Sequence, residues 1–318
     1  MASFASFDLM LLPGNDGRIH RYDPVNRVSL GSYLSSTSNM MIAADTSGIS
    51  YSGSSGGSGF LAHRYATGET VGQMTISTSL RALISRGGNL FSLNSSGFVR
   101  KINPLTGATV QSTTLTAGVT WRTMAMSHGN LIAIGSNTNN QVSFQNVSAS
   151  DFSMSSVLTS TVTTNASTAF GKADAVTNGI SGSTALAFTS ISGSGVQLSQ
   201  FQLNSSGVLV STASSTFSIG GASGFAETSN LPAVVSGHSG LYIYGQDATT
   251  PASLARLSRM DFIGANMNIM HSTTFTAPGG SWDLTNPGWH PANVVAPEPG
   301  TLVACGVGLV ALLRRRKR

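Results

Sequence analysis

Short apolar runs recur along the chain, each bounded by Gly, Ser, Asn or Pro. DLMLLPG from Asp8, GISYSG from Gly48 and NLFSLNS from Asn89 are followed by NLIAIGS from Asn130, ALAFTSI from Ala185 and LYIYGQ from Leu241. Most have a second short run upstream: MMIAAD, LRALIS, RTMAMS and PAVVSG. Downstream of each comes an alternating segment, as in Val196, Leu198, Phe201 and Leu203. Period-2 alternation and near-continuous short apolar runs both predict β-strands, and helical periodicity is almost absent.

The downstream segments repeat one another. GNDGRIHRYDPVNRVSLGSY from Gly14, GSGFLAHRYATGETVGQM from Gly57 and SSGFVRKINPLTGATVQS from Ser95 each pass from a Gly-containing turn into a strand, a polar turn and another strand. Tyr22, Tyr65 and Ile102 occupy the same place, with spacings of 43 and 37 residues. Phe144, Phe201 and Leu257 continue the series after 42, 57 and 56 residues. Four short strands per unit at this period predict a β-propeller, because no unit can bury its faces alone and a closed ring of units can. The expected fold is all-β, with six four-stranded blades, or seven if a blade is missing, over residues 1–284. A linker is expected over 285–295.

The first unit is one strand short. Gly280 to Pro291 (GSWDLTNPGWHP) is a candidate closing strand supplied from the other terminus. The alternative is that a strand upstream of Met1 has been lost together with a signal peptide. The N-terminus has no Lys or Arg before Arg18, and Asp8 interrupts its apolar stretch, so no secretory signal is legible. Loss of both explains two anomalies at once and is the favoured expectation.

Composition narrows the function. Charged residues are only 9% of the chain while 40% are hydrophobic, which does not fit a disordered segment. The net charge of +5 resides in Arg314, Arg315, Arg316, Lys317 and Arg318; the remaining 12 cations balance 12 anions. Arg81, Arg86, Arg100 and Lys101 are too diffuse for a nucleic-acid surface, and no nucleic-acid partner is expected. The single cysteine, Cys305, excludes a disulfide within the chain.

Candidate chemistry is sparse. None of the six histidines has metal-ligand spacing, so no metal or other cofactor is expected. His20 and His63 hold equivalent places in the repeat, which indicates a structural role. Asp16-Gly17 reads as a hairpin turn, since the Asp-x-Asp-x-Asp-Gly pattern of a calcium loop is absent. Gly53 to Gly57 matches Gly-x-Ser-x-Gly around Ser55, but no helix follows to make a nucleophile elbow. Trp282 and Trp289 are close in sequence and are candidates for stacking on sugar rings. The chain is expected to be non-enzymatic. The alternative is a hydrolase or lyase whose acidic or histidine side chains converge on the ring axis from separate blades.

The C-terminus has a different grammar. Pro297-Glu298-Pro299 precedes an uncharged run from Gly300 to Leu313, which ends at the cationic cluster Arg314 to Arg318. As a helix the 14-residue run would span about 21 Å, short of a ~30 Å hydrocarbon core unless the arginine stems snorkel. It predicts a short C-terminal transmembrane helix whose basic end stays cytoplasmic, with the body outside.

These three parts in order resemble the bacterial PEP-CTERM sorting signal, over residues 296–318. The resemblance implies export to the cell envelope or beyond and recognition by an exosortase, a membrane-embedded processing enzyme. It also implies transient or permanent contact with the inner membrane, and a host that makes exopolysaccharide as a further candidate partner. The repeats, and NPLTGATV above all, resemble the broad group of quinoprotein-like and YVTN-type bacterial propellers. That second resemblance implies the fold and no quinone cofactor.

Overall fold

The computed structural model describes residues 6–297, except 36–39, 45, 55–58, 77–78, 166–169, 178–183, 194, 222–223, 228–230, 238–239, 264–265 and 281–290. It contains six four-stranded antiparallel sheets arranged as the blades of a propeller. Blade 1 holds β1 (Ser6–Pro13), β2 (Arg18–Asp23) and β3 (Val28–Leu34); blade 2 holds β4 (Met40–Ala44), β5 (Ile49–Ser54), β6 (Gly59–Arg64) and β7 (Thr70–Thr75). Blade 3 is β8 (Leu80–Arg86), β9 (Asn89–Asn94), β10 (Phe98–Ile102) and β11 (Thr109–Thr114). Blade 4 is β12 (Val119–Ser127), β13 (Asn130–Asn137), β14 (Gln141–Ser148) and β15 (Leu158–Thr163). Blade 5 is β16 (Asp174–Thr177), β17 (Thr184–Ser192), β18 (Gly195–Leu203) and β19 (Leu209–Ser218). Blade 6 is β20 (Ala233–Gly237), β21 (Gly240–Gln246), β22 (Leu254–Ile263) and β23 (Asn266–Thr276).

Blade 1 is completed by β24 (Ala292–Pro297), which pairs antiparallel with β1 from Ala292 opposite Leu11 to Pro297 opposite Ser6. The first blade therefore has four strands, and the expectation of a lost upstream strand is corrected. The closing strand is not Gly280 to Pro291 but the segment that follows it. It also replaces the end of the expected 285–295 linker and takes in Ala296 and Pro297 of the expected sorting segment. The physical reason is the free edge of β1: its unpaired N–H and C=O groups need a partner, and the chain returns to supply one. Pro297 is the last described residue and pairs with Ser6.

The core is divided among the blade interfaces. Six apolar clusters each join two neighbouring blades. β13 shows why: Leu131 and Ala133 enter the cluster shared with blade 3, while Ile132 and Ile134 enter the one shared with blade 5. Both faces are buried, so the strand reads as a continuous apolar run rather than an alternation. The residues aligned in the repeat, Tyr22, Phe144, Phe201 and Leu257, all lie on third strands, and Ile102 ends one. Between third and fourth strands every blade carries a register shift, a one-residue bulge in blades 1, 2, 3 and 6 and a larger irregularity in blades 4 and 5. Among the described residues no helix is long and apolar enough to cross a membrane. The expected helix over Gly300–Leu313 lies outside the described residues.

Candidate functional site

The first strands of the blades, β4, β8, β12, β16 and β20, together with β24, touch one another in sequence around the ring. They enclose an axial cavity with about 80 Å³ of room, enough for several water molecules. All six blades contribute to its wall, with Ala43, Ile84, Met126, Val235 and Ala292 among the apolar lining residues. The charged lining groups are Arg86, Lys172 and Asp174.

Lys172 and Asp174 sit where the chain enters β16. Lys172 Nζ donates to the carbonyl of Pro291, tying blade 5 to the residue that precedes β24. Burial lowers the Lys172 pKa below the usual lysine value, and the neighbouring Asp174 carboxylate acts in the opposite direction. Asp174 Oδ2 accepts from the Ser236 backbone N–H at 2.8 Å and from its hydroxyl at 2.9 Å. Both groups thus bind main-chain or hydroxyl partners outside their own blade. Arg86, at the far end of β8, is exposed.

His20 and His63 fall elsewhere. His20 Nε2 meets Asp16 at 3.1 Å on the rim. His63 is fully buried on β6, with Nδ1 at 3.3 Å from Thr70 Oγ1 and its ring tilted against Tyr33 at 5.4 Å. The shared place in the repeat is real, since both lie on third strands, but their surroundings differ. Asp16 and Gly17 form the turn between β1 and β2, with Asp16 Oδ1 accepting from Arg18 N–H and Gly17 at φ 72°. Among the described residues no group of three His, Cys, Asp or Glu could hold a metal ion. Ser55 lies outside the described residues, in a connection between strands β5 and β6. Trp282 and Trp289 also lie outside them, so their expected sugar-stacking role has no geometry here.

At the C-terminus, the pairing of Pro297 with Ser6 places the first residue of Pro-Glu-Pro on the ring itself. Glu298, Pro299, Gly300, Leu313 and the cluster Arg314, Arg315, Arg316, Lys317 and Arg318 lie outside the described residues. Residues 295–318 match the PEP-CTERM protein-sorting motif. The chain carries a PEP-CTERM sorting signal. That signal implies an exported protein, sorted by an exosortase at the membrane and destined for the cell envelope or the extracellular space.

The body of this PEP-CTERM protein is similar in fold to Kuenenia stuttgartiensis hydrazine synthase, at 9% identity and a TM-score of 0.52, covering 77% of this chain and 70% of that one. BamB from Moraxella catarrhalis aligns over 87% of each chain at 13% identity, with a TM-score of 0.42. No curated protein matches the chain by sequence.

Sequence reading missed Lys172 and Asp174. The signal was present: KADAV follows Gly171 at the place where LRALIS and RTMAMS begin their inner strands. Only the pairing of β16 with β17 makes that equivalence visible.

Proposed function

We propose that the protein is a non-enzymatic scaffold or binding module of the cell surface or extracellular matrix, delivered by its PEP-CTERM signal. The observation that carries this reading is the continuity of β24 with Pro297-Glu298-Pro299. The strand that closes the propeller is also the segment that leads into the sorting signal. Processing beyond Pro297 would release a body whose closing strand stays paired, whereas processing before Ala292 would remove that strand. The engagement of Lys172 and Asp174 with Pro291 and Ser236 supports a structural use of the axial polar groups. The neutral, hydroxyl-rich composition suits a polysaccharide matrix, where it offers hydrogen bonds without strong charge attraction.

The test is fractionation of the producing cells, followed by intact-mass and C-terminal peptide mapping and co-sedimentation with the host exopolysaccharide. We expect a surface or extracellular chain ending after Pro297, without Arg318, that sediments with the polysaccharide. A full-length chain found only in the cytosol overturns the sorting reading. A surface chain that ignores the polysaccharide overturns the matrix role.

A further inference from the structure

Three successive blades carry an irregularity at the same point of the inner strand, and each places a cation there. In blade 3, Leu80 faces Asn94 and Ala82 faces Leu93, so Arg81 is the extra residue of a β-bulge. In blade 4, Trp121 faces Gly135 and Thr123 faces Ile134, so Arg122 is the extra residue. In blade 5, Asp174 faces Ala187 while Gly171 N–H bonds to the Thr189 carbonyl at 3.0 Å. Three steps along the segment that leads into β16 there meet two on its neighbour, which leaves one extra residue at Lys172–Ala173, just ahead of the strand. A bulge re-aims its side chain and bends the strand, and such devices concentrate beside functional sites.

The three cations share one level of the inner ring, at the end where the inner strands begin. Arg81 lies close enough to Arg122 for its charge, with burial as the larger cause, to lower the Arg122 pKa. Arg122 Nε is buried and meets no hydrogen-bond acceptor among the described residues. The ion pairs among the described residues are Arg64–Glu69, Arg256–Asp247 and His20–Asp16, and none involves these cations. Lys172 differs from the two arginines, because its Nζ already donates to the Pro291 carbonyl and Asp174 lies beside it. Like charges on adjacent blades repel, and an unpaired buried guanidinium nitrogen forfeits its hydration. Folding alone gives no reason to gather positive charge here in a body whose total charge is balanced. A low-dielectric mouth lined by one sign of charge concentrates the opposite ion.

We infer that the start of the inner strands of blades 3 and 4 is an oxyanion site, in which Arg81 and Arg122 receive a carboxylate or phosphate group. The inference rests on the binding-module reading and names its ligand chemistry: an anionic group carried by a saccharide or free in solution. The guanidinium groups supply forked donors that match either oxyanion.

The test is calorimetric titration of the full-length protein with D-glucuronate, inorganic phosphate and D-glucose at low and moderate salt. We expect glucuronate or phosphate to bind, glucose not to, and the affinity to fall with added salt. The variant carrying Arg81→Gln and Arg122→Gln should bind about tenfold more weakly or worse. Arg122→Lys, which keeps the charge but loses the fork, should bind more weakly than the native protein and more tightly than Arg122→Gln, and it controls for misfolding. Preference for glucuronate assigns the site to an acidic saccharide, and preference for phosphate assigns it to a phosphorylated or free anion. Absence of binding by both anions, or binding unchanged in the double glutamine variant, overturns the site. Glucose binding without anion binding would overturn it while leaving the binding-module reading intact. Turnover of a glucuronide at the same residues would do the reverse.

Discussion

Tyr242 donates a hydrogen bond of 2.9 Å to Asp8 Oδ2, joining residues 234 positions apart across the seam between blade 6 and blade 1. Both are buried, Asp8 at 1% exposure and Tyr242 at 0%. The same Asp8 sits on β1 opposite Val295 of the closing strand. One acidic residue in an apolar stretch thus serves the seam where the ring is shut. Removing the phenolic hydroxyl takes a donor from a buried carboxylate. Tyr242→Phe should cost about 2 kcal/mol, read as a lower midpoint in chemical denaturation with an unchanged slope. A change within 0.5 kcal/mol, roughly the size expected of a neutral surface substitution, would show that the bond does not hold the seam.

Ending the chain at Pro291 should open the ring. The loss of β24 frees the inner edge of β1 and removes a six-residue ladder, at about 1 kcal/mol per net hydrogen bond. Limited proteolysis should then cut first in β1 to β3, whereas a chain ending after Pro297 should resist. Equal resistance of the two chains would deny β24 its closing role.

Gly68 lies in the turn after β6 at φ +79°, and a Cβ there would stand 2.3 Å from Tyr33 Cβ on the neighbouring blade. Gly68→Val therefore combines backbone strain with a clash at the interface of blades 1 and 2. Roughly 3 kcal/mol of destabilisation is expected by thermal or chemical unfolding. Full stability in the variant would mean that the blades part more easily than their packing suggests.

His63 should make stability depend on pH. Burial lowers its folded pKa below the ordinary 6.5, with a smaller opposing contribution from the Gly68 backbone. The unfolded chain therefore binds a proton first as pH falls. Stability contributed by neutral His63 is fully present above about 6.5 and declines as pH drops toward the lower folded value. Denaturation midpoints measured at several pH values should show this loss in the native protein and not in His63→Gln. Parallel curves for the two proteins would remove His63 as the cause.

Much of the architecture was legible because propeller strands are short, local and repeated. Tyr22, Phe144, Phe201 and Leu257 fell on third strands as the spacing predicted, since hairpins fix the order of neighbours within a blade. The closing strand was misread. Ala292 to Pro297 is a short run whose partner lies at the opposite end of the chain, so no local turn announces it. The extra residues of the inner strands were illegible for a related reason. Lys172, Arg81 and Arg122 lie 41 to 91 positions apart in the chain, and only inter-strand register aligns them.

The amino-acid sequence by itself determined the all-β class, the repeating unit, the charge-neutral body and the sorting signal. Each of these depends on composition or on contacts within a few dozen residues. Tertiary structure decided how the ring closes, which carboxylate is buried at its seam and which charged groups line its axial cavity. Those features depend on the inward edges of strands from different blades. Such edges become neighbours only when the whole ring forms, because each blade can bury its two faces only against the next.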